Sequence, residues 1–126
     1  MAKTRVAMEL GMGTSLRAED YTKAAVRALK DALWHNSLSM ADAFGFPREA
    51  MIVDIEIAVQ KPEAVDKNAV KDVLPYGKGD VKVVQGGLDV AKPNGEGKTI
   101  IANAAVLVSF DMERRQARSK PVEAGR

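Results

Sequence analysis

Cysteine is absent from the 126-residue chain, histidine occurs once, and aromatic side chains make up only 5% of it. Without cysteine there is no disulfide framework, no thiolate nucleophile and no cysteine-built zinc site. The single histidine, His35, lies beside Trp34 at the far end of a helical segment and off its apolar stripe, the place of a solvated or helix-end imidazole. Scattered carboxylates with one imidazole do not have the spacing of a metal centre, so neither metal nor cofactor is expected. No apolar run approaches the roughly 18 residues of a membrane span, and the opening "MAKTRVAMEL" lacks the apolar stretch of a signal peptide. These absences predict a soluble, cytoplasmic protein without a membrane partner.

Charge of one sign is also scarce. The net charge of +2 resides in residues 111–126, where five basic side chains face three acidic ones, and the rest of the chain is balanced at 14 of each. A basic footprint on the folded part, the first sign of phosphate-backbone binding, is therefore missing. The sequence predicts one domain over residues 1–110 and a solvated, disordered tail over 111–126. Nucleic-acid binding through that tail ranks last among the functional readings.

What is present is periodicity. Residues 4–10 alternate, with Val6, Met8 and Leu10 expected on the core face and Arg5, Ala7 and Glu9 on the other. From Tyr21 the apolar positions Tyr21, Ala24, Ala25, Ala28, Leu29, Ala32 and Leu33 follow the helical i, i+3, i+4 series, with Asp20 as N-cap and an end near Asn36. The alanines on this stripe would let the helix axis approach a sheet closely. "MIVDIEIAVQ" is the clearest strand, with Met51, Val53, Ile55, Ile57 and Val59 on one face and Asp54 and Glu56 on the other. A short helix capped by Asp66 and stopped by Pro75 follows. After a turn at "PYGKGD", "VKVVQGGLDV" reads as one strand interrupted at Gly86 and Gly87, joined by an Asn-Gly hairpin in "AKPNGEGK" to the last strand, "TIIANAAVLVSF". The order β-α-β-α-β-β predicts an α+β two-layer sandwich, a four-stranded sheet with two helices on one face. Its other face mixes Asp54, Glu56 and Asn103 with Ile52, Ile101 and Leu107, too apolar for plain solvent, so a homo-oligomer packed through its sheets is expected.

Chemistry concentrates in "LGMGTSLRAEDYTKAA", residues 10–25. It is not a dinucleotide fingerprint, because the third glycine is missing, nor a P-loop, because no Gly-Lys-Ser/Thr follows. It reads as a strand-to-helix loop in which Gly11 and Gly13 expose backbone N–H groups near a helix N-terminus, Ser15 supplies a hydroxyl, Arg17 a fork of donors and Asp20 a cap. The alternative is a turn in which Ser15 bonds locally and Arg17 is solvated. Lys61, just past the end of the second strand, is either solvated or, if buried near Ser15, a base toward its hydroxyl.

The segments "MELGMG", "TKAAVRALKDAL", "KPEAVD", "LPYGK" and "QGGLDV" resemble the Lin-type family of conserved hypothetical proteins over about residues 4–110. That family carries a hallmark of Gly, any, Gly, any, Asp, any, His, Gly. Gly11 and Gly13 match it, whereas Ser15, Arg17 and Ala18 stand where the Asp, the His and the last Gly would be. The resemblance implies that any chemistry of that Asp and His is lost or altered here. By element order and by Lys61 after "IVDIEIAVQ", the chain also resembles one repeat of the ring-opening amidohydrolases, cyanuric acid hydrolase and barbiturase. This second likeness implies a serine-lysine pair, Ser15 and Lys61, opening a cyclic amide at a site shared between protomers of a trimer or a multiple of it. Two functional expectations result. One is an oligomer that binds a small anionic or cyclic-amide compound, and as a hydrolase attacks it with Ser15. The other is a non-catalytic binding or assembly subunit.

Overall fold

The computed structural model describes residues 3–33, 43–74 and 78–111. His35, the helix end near Asn36, Pro75 and the basic tail beyond Asp111 lie outside the described residues. The elements are β1 (Lys3–Ser15), α1 (Tyr21–Leu33), β2 (Ile52–Val59), α2 (Lys67–Lys71), β3 (Val81–Gln85), β4 (Leu88–Ala91) and β5 (Lys98–Asp111), with short 3-10 turns at Arg48–Ala50 and Pro62–Ala64. The architecture is α+β, and the sheet has five strands where four were expected.

The extra strand arises at Gly86 and Gly87. The sheet runs β1-β5-β2-β3, and β4 pairs with the other end of β5. β2 occupies β5 from Asn103 to Ser109, and β4 takes the same edge from Lys98 to Ile101. The chain therefore leaves β3, crosses the end of β2 and enters the ladder of β5. Gly87 has φ +64, and a Cβ there would lie 2.3 Å from the carbonyl oxygen of Ile101, so the crossing needs glycine. Gly86 N–H donates to Val59 O at 2.9 Å, and the Gln60 amide donates to Gly86 O at 3.0 Å. β2 and β3 run parallel, so the connection between them must cross over, and the Pro62–Ala64 turn and α2 lie on that crossover. Asp66 caps α2 by accepting from the N–H groups of Asn68 and Ala69.

One face of the sheet is the core. Met51, Val53, Ile55, Ile57 and Val59 from β2 and its approach meet Ile100, Ala102, Ala104, Val106, Val108 and Phe110 from β5, all buried. α1 buries Tyr21, Ala24, Ala25, Ala28, Leu29 and Ala32 against them, and packs on β1, β5 and β2. Phe46 stacks on Phe110 at 4.6 Å between ring centroids and closes one end.

β1 departs from its expected facing. The register with β5 shifts between Arg5 and Ala7, where Val6 is an extra residue. A one-residue bulge exchanges the faces of everything that follows. Met8, Leu10 and Met12 therefore lie on the outer face, exposed, while Gly11, Gly13 and Ser15 point at the helix. β1 also runs through Ser15, five residues beyond Leu10.

Candidate functional site

The glycines come first, because they were expected in a loop. Gly11 and Gly13 lie inside β1, opposite Ala104 and Ala102 of β5, and neither has a positive φ. A Cβ on Gly11 would fall 2.4 Å from Ala28 O and Ala32 N, and one on Gly13 would fall 2.2 Å from Ala28 N. The backbone of α1 sits directly on these two residues. Glycine on the strand and alanine on the helix together allow that approach, so this part of the motif is packing and not a ligand loop.

Ser15 follows in the same row. Its side chain is buried at 1% exposure, and its Oγ accepts from Asp20 N–H at 3.1 Å, which closes the turn of residues 16–19. Asp20 Oδ1 accepts from Lys23 N–H at 3.0 Å, so Asp20 is the N-cap of α1. Glu19 bridges the two in a left-handed conformation, φ 49. Its Oε2 accepts from Lys98 N–H at 3.3 Å, which ties the turn to the β4–β5 hairpin.

Beside this turn lies a cavity of about 190 Å³, lined by Ser15, Leu16, Arg17, Ala18, Lys23 and Arg27. Among the described residues three of the six that line it are cationic and none is anionic. Lys23 and Arg27 are one helical turn apart on the exposed side of α1, in its positive half. The Arg27 guanidinium is fixed by donating to Thr14 O at 2.8 Å. Among the described residues, Arg17 and Lys23 have no carboxylate partner. The arrangement can hold a small anion, with Arg27 rigid and the two others free to close on it.

Of the residues expected at a site, Ser15 and Arg17 meet at this cavity. Gly11, Gly13, Asp20 and Lys61 are not among its lining residues. Lys61 is exposed at the head of the Pro62–Ala64 turn, where its carbonyl accepts from Ala64 N–H at 3.0 Å. β4 explains the separation: it takes the place beside β5, opposite Ser15, into which a longer β2 would have carried Lys61. Sequence reasoning missed Lys23 and Arg27, although their spacing of four on the polar side of a helix that starts next to Arg17 was a usable signal.

A second polar cluster had no signal at all. The Tyr21 hydroxyl donates to Asp89 Oδ2, which also faces Lys98 Nζ at 3.4 Å. Burial, reinforced by the Asp89 hydrogen bond and charge, pushes the Tyr21 phenol up to about 12. Among the described residues Asp89 Oδ1 is buried without a partner. The cluster clamps β4 to the first turn of α1, one strand across from Ser15. No group of histidine, cysteine, aspartate or glutamate that could hold a metal occurs among the described residues. No helix of the described residues is long and apolar enough to cross a membrane.

Fold and cavity define a small α+β protein with a cationic cleft where its first strand turns into its first helix. The chain belongs to the Lin0512 family, described as conserved hypothetical protein, which it matches over residues 5–108. It is also similar to the crystal structure of an FtsZ-like protein of unknown function from Nostoc punctiforme PCC 73102, with 34% sequence identity and a TM-score of 0.78. That similarity covers 88% of this chain and 98% of the other. No protein of curated function matches the chain. Neither of these descriptions is that of a ring-opening amidohydrolase, so that likeness has no support beyond element order and the position of Lys61.

Proposed function

We propose that this protein binds a small anionic compound at the β1–α1 turn and that it does so without serine-lysine catalysis. The observation that carries the reading is the cavity itself, which gathers Arg17, Lys23 and Arg27 around about 190 Å³ with no acidic lining residue among the described ones. Sites for drug-sized ligands run to about 300 Å³ and more, so the compound would be a small carboxylate or phosphate. Against catalysis stand the burial of Ser15, the use of its Oγ as acceptor for Asp20 N–H, and the exposed position of Lys61 outside the cavity. A serine nucleophile needs a base within hydrogen-bond reach. The Ser15 and Arg17 that replace the family's aspartate and histidine suit an anion better than the residues they replace, since one negative side chain is gone and a permanent positive charge has come.

The test is a thermal-shift titration with mono- and dicarboxylates, inorganic phosphate and small organic phosphates at constant ionic strength. One class should raise the melting temperature saturably, by an amount corresponding to about 2.7 kcal/mol at a hundredfold excess over Kd. Arg17→Ala should abolish the rise, and Lys61→Ala should leave it intact. Equal effects from all anions, chloride included, would refute the reading. Loss of binding in Lys61→Ala would restore the serine-lysine alternative.

A further inference from the structure

The outer face of the sheet carries its own message. Met8, Leu10 and Met12 on β1 and Leu88 and Val90 on β4 are 44–62% exposed, far above what apolar side chains of a sheet show when the face is covered. We propose that a second copy of this chain covers this face, the two sheets stacking face to face about a two-fold axis.

Area agrees with that occupant. Four strands about 4.8 Å apart, along a β1 ladder of roughly 3.4 Å per residue, present on the order of 800 Å² of face. This is about what each partner contributes to a stable interface of standard size.

Charge agrees as well. The face carries ionic groups of both signs: Lys3 Nζ lies 2.6 Å from Asp54 Oδ2, Glu56 is the register partner of Lys82 in the β2–β3 ladder, and Arg5 is exposed opposite Ser109. A face that carries acids and bases together can turn against a copy of itself with opposite signs facing, so like-charge repulsion does not dominate.

Shape supplies the third argument. A two-fold interface must hold both projection and recess on the same patch, because each protomer offers the other an identical surface. The long β1 methionines project from it. Between Leu10 and Val84, floored by Ala58 and Ala105, lies a mostly apolar recess of about 160 Å³. A cavity of about 150 Å³ takes a benzene molecule, so this recess has room for one large apolar side chain. Methionine, unbranched and polarizable, is suited to filling it.

The competing way for sheets to join is edge to edge, and β1 is an edge strand of 13 residues. At its Met12–Thr14 end that edge is blocked by α1. Asp31 Oδ2 accepts from Met12 N–H at 2.9 Å, and Arg27 donates to Thr14 O at 2.8 Å, so the outward backbone groups at this end are already satisfied. At this end of β1 the face is open where the edge is closed. It also shares no lining residue with the anion cavity, so the two proposals stand or fall separately.

Sedimentation velocity on the full chain across the micromolar range tests this, together with Leu10→Asp and Met12→Asp. Circular dichroism keeps the variants honest as folded chains, and Glu63→Lys, far from the face in sequence and exposed, is the control. Wild type and control should sediment at twice 13.6 kDa. Each aspartate should raise the dimer dissociation constant about a hundredfold or more, since the two-fold axis buries it twice. A wild-type chain that stays monomeric throughout would overturn the proposal, as would an oligomer whose stability both aspartates leave unchanged.

Discussion

Alternate residues of one strand do opposite work. Along Leu10-Gly11-Met12-Gly13 the inward positions have no side chain and the outward ones have long flexible ones. Inside, the α1 backbone lies so close that a single Cβ would overlap it, and the contact is between main chains. Outside, the methionines and leucine reach into open space. The inner face is rigid and closed to change, whereas the outer side chains Met8, Leu10 and Met12 are exposed among the described residues. The lesson is that a glycine pair near a helix N-terminus need not serve a ligand. Here it sets the depth of the helix, and the ligand-competent charges sit one turn further on.

The sharpest way to break this contrast is to add one carbon inside. Gly13→Ala places a methyl group 2.2 Å from Ala28 N and Gly11→Ala one 2.4 Å from Ala28 O, where only backbone could move. Each should cost about 3 kcal/mol or more, read as a fall in melting temperature on the order of 10 °C. A Gly13→Ala chain that melts like wild type would show that α1 does not lie where described.

The next effect depends on pH. Tyr21 holds its proton up to about 12 in the fold against 10.0 in the unfolded chain, so the folded state binds more protons between these values and stability falls as pH rises through them. Below pH 10 the contribution is complete. Its loss amounts to about 2 kcal/mol, and Tyr21→Phe should flatten this part of the urea-derived stability curve relative to wild type. Parallel curves for the two proteins in this range would remove the Tyr21–Asp89 clamp from the account.

Smaller still is the cap. Asp20→Ala removes the acceptor for Lys23 N–H and should cost about 1 kcal/mol in urea unfolding. Smallest is the outer face: Met8→Gln, measured at a concentration where the chain is monomeric, should change stability by no more than about 0.5 kcal/mol. An outer-face substitution as costly as Gly13→Ala would erase the distinction between the two sides of β1.

β2 and β5 were legible in the sequence because their alternation is unbroken and both are central strands, so the inward residues of β2 and those of β5 from Ile100 to Phe110 are all apolar. The stripe and cap of α1 were legible for the same reason of period. β1 was misread because the bulge at Val6 leaves no mark, and because apolar Met8 and Leu10 satisfy the expectation of a core face better than two glycines do. The paired glycines Gly86 and Gly87 signalled an interruption, but that the chain changes partner strands there depends on where β2 ends. At the cavity, Ser15 and Arg17 were visible through their neighbourhood in sequence. Lys23 and Arg27 needed the helical phase as well. Tyr21 and Asp89 are 68 positions apart, and no local pattern joins them.

The measurement that bears most directly on the functional claim is a phosphate and dicarboxylate titration followed by amide chemical shifts across the whole chain. The account predicts that the largest saturable shifts fall on residues 15–18, 23 and 27, with Gly11, Gly13 and Lys61 unmoved. Shifts centred on Gly11 and Gly13 or on Lys61, or no saturable shift at all, would contradict it.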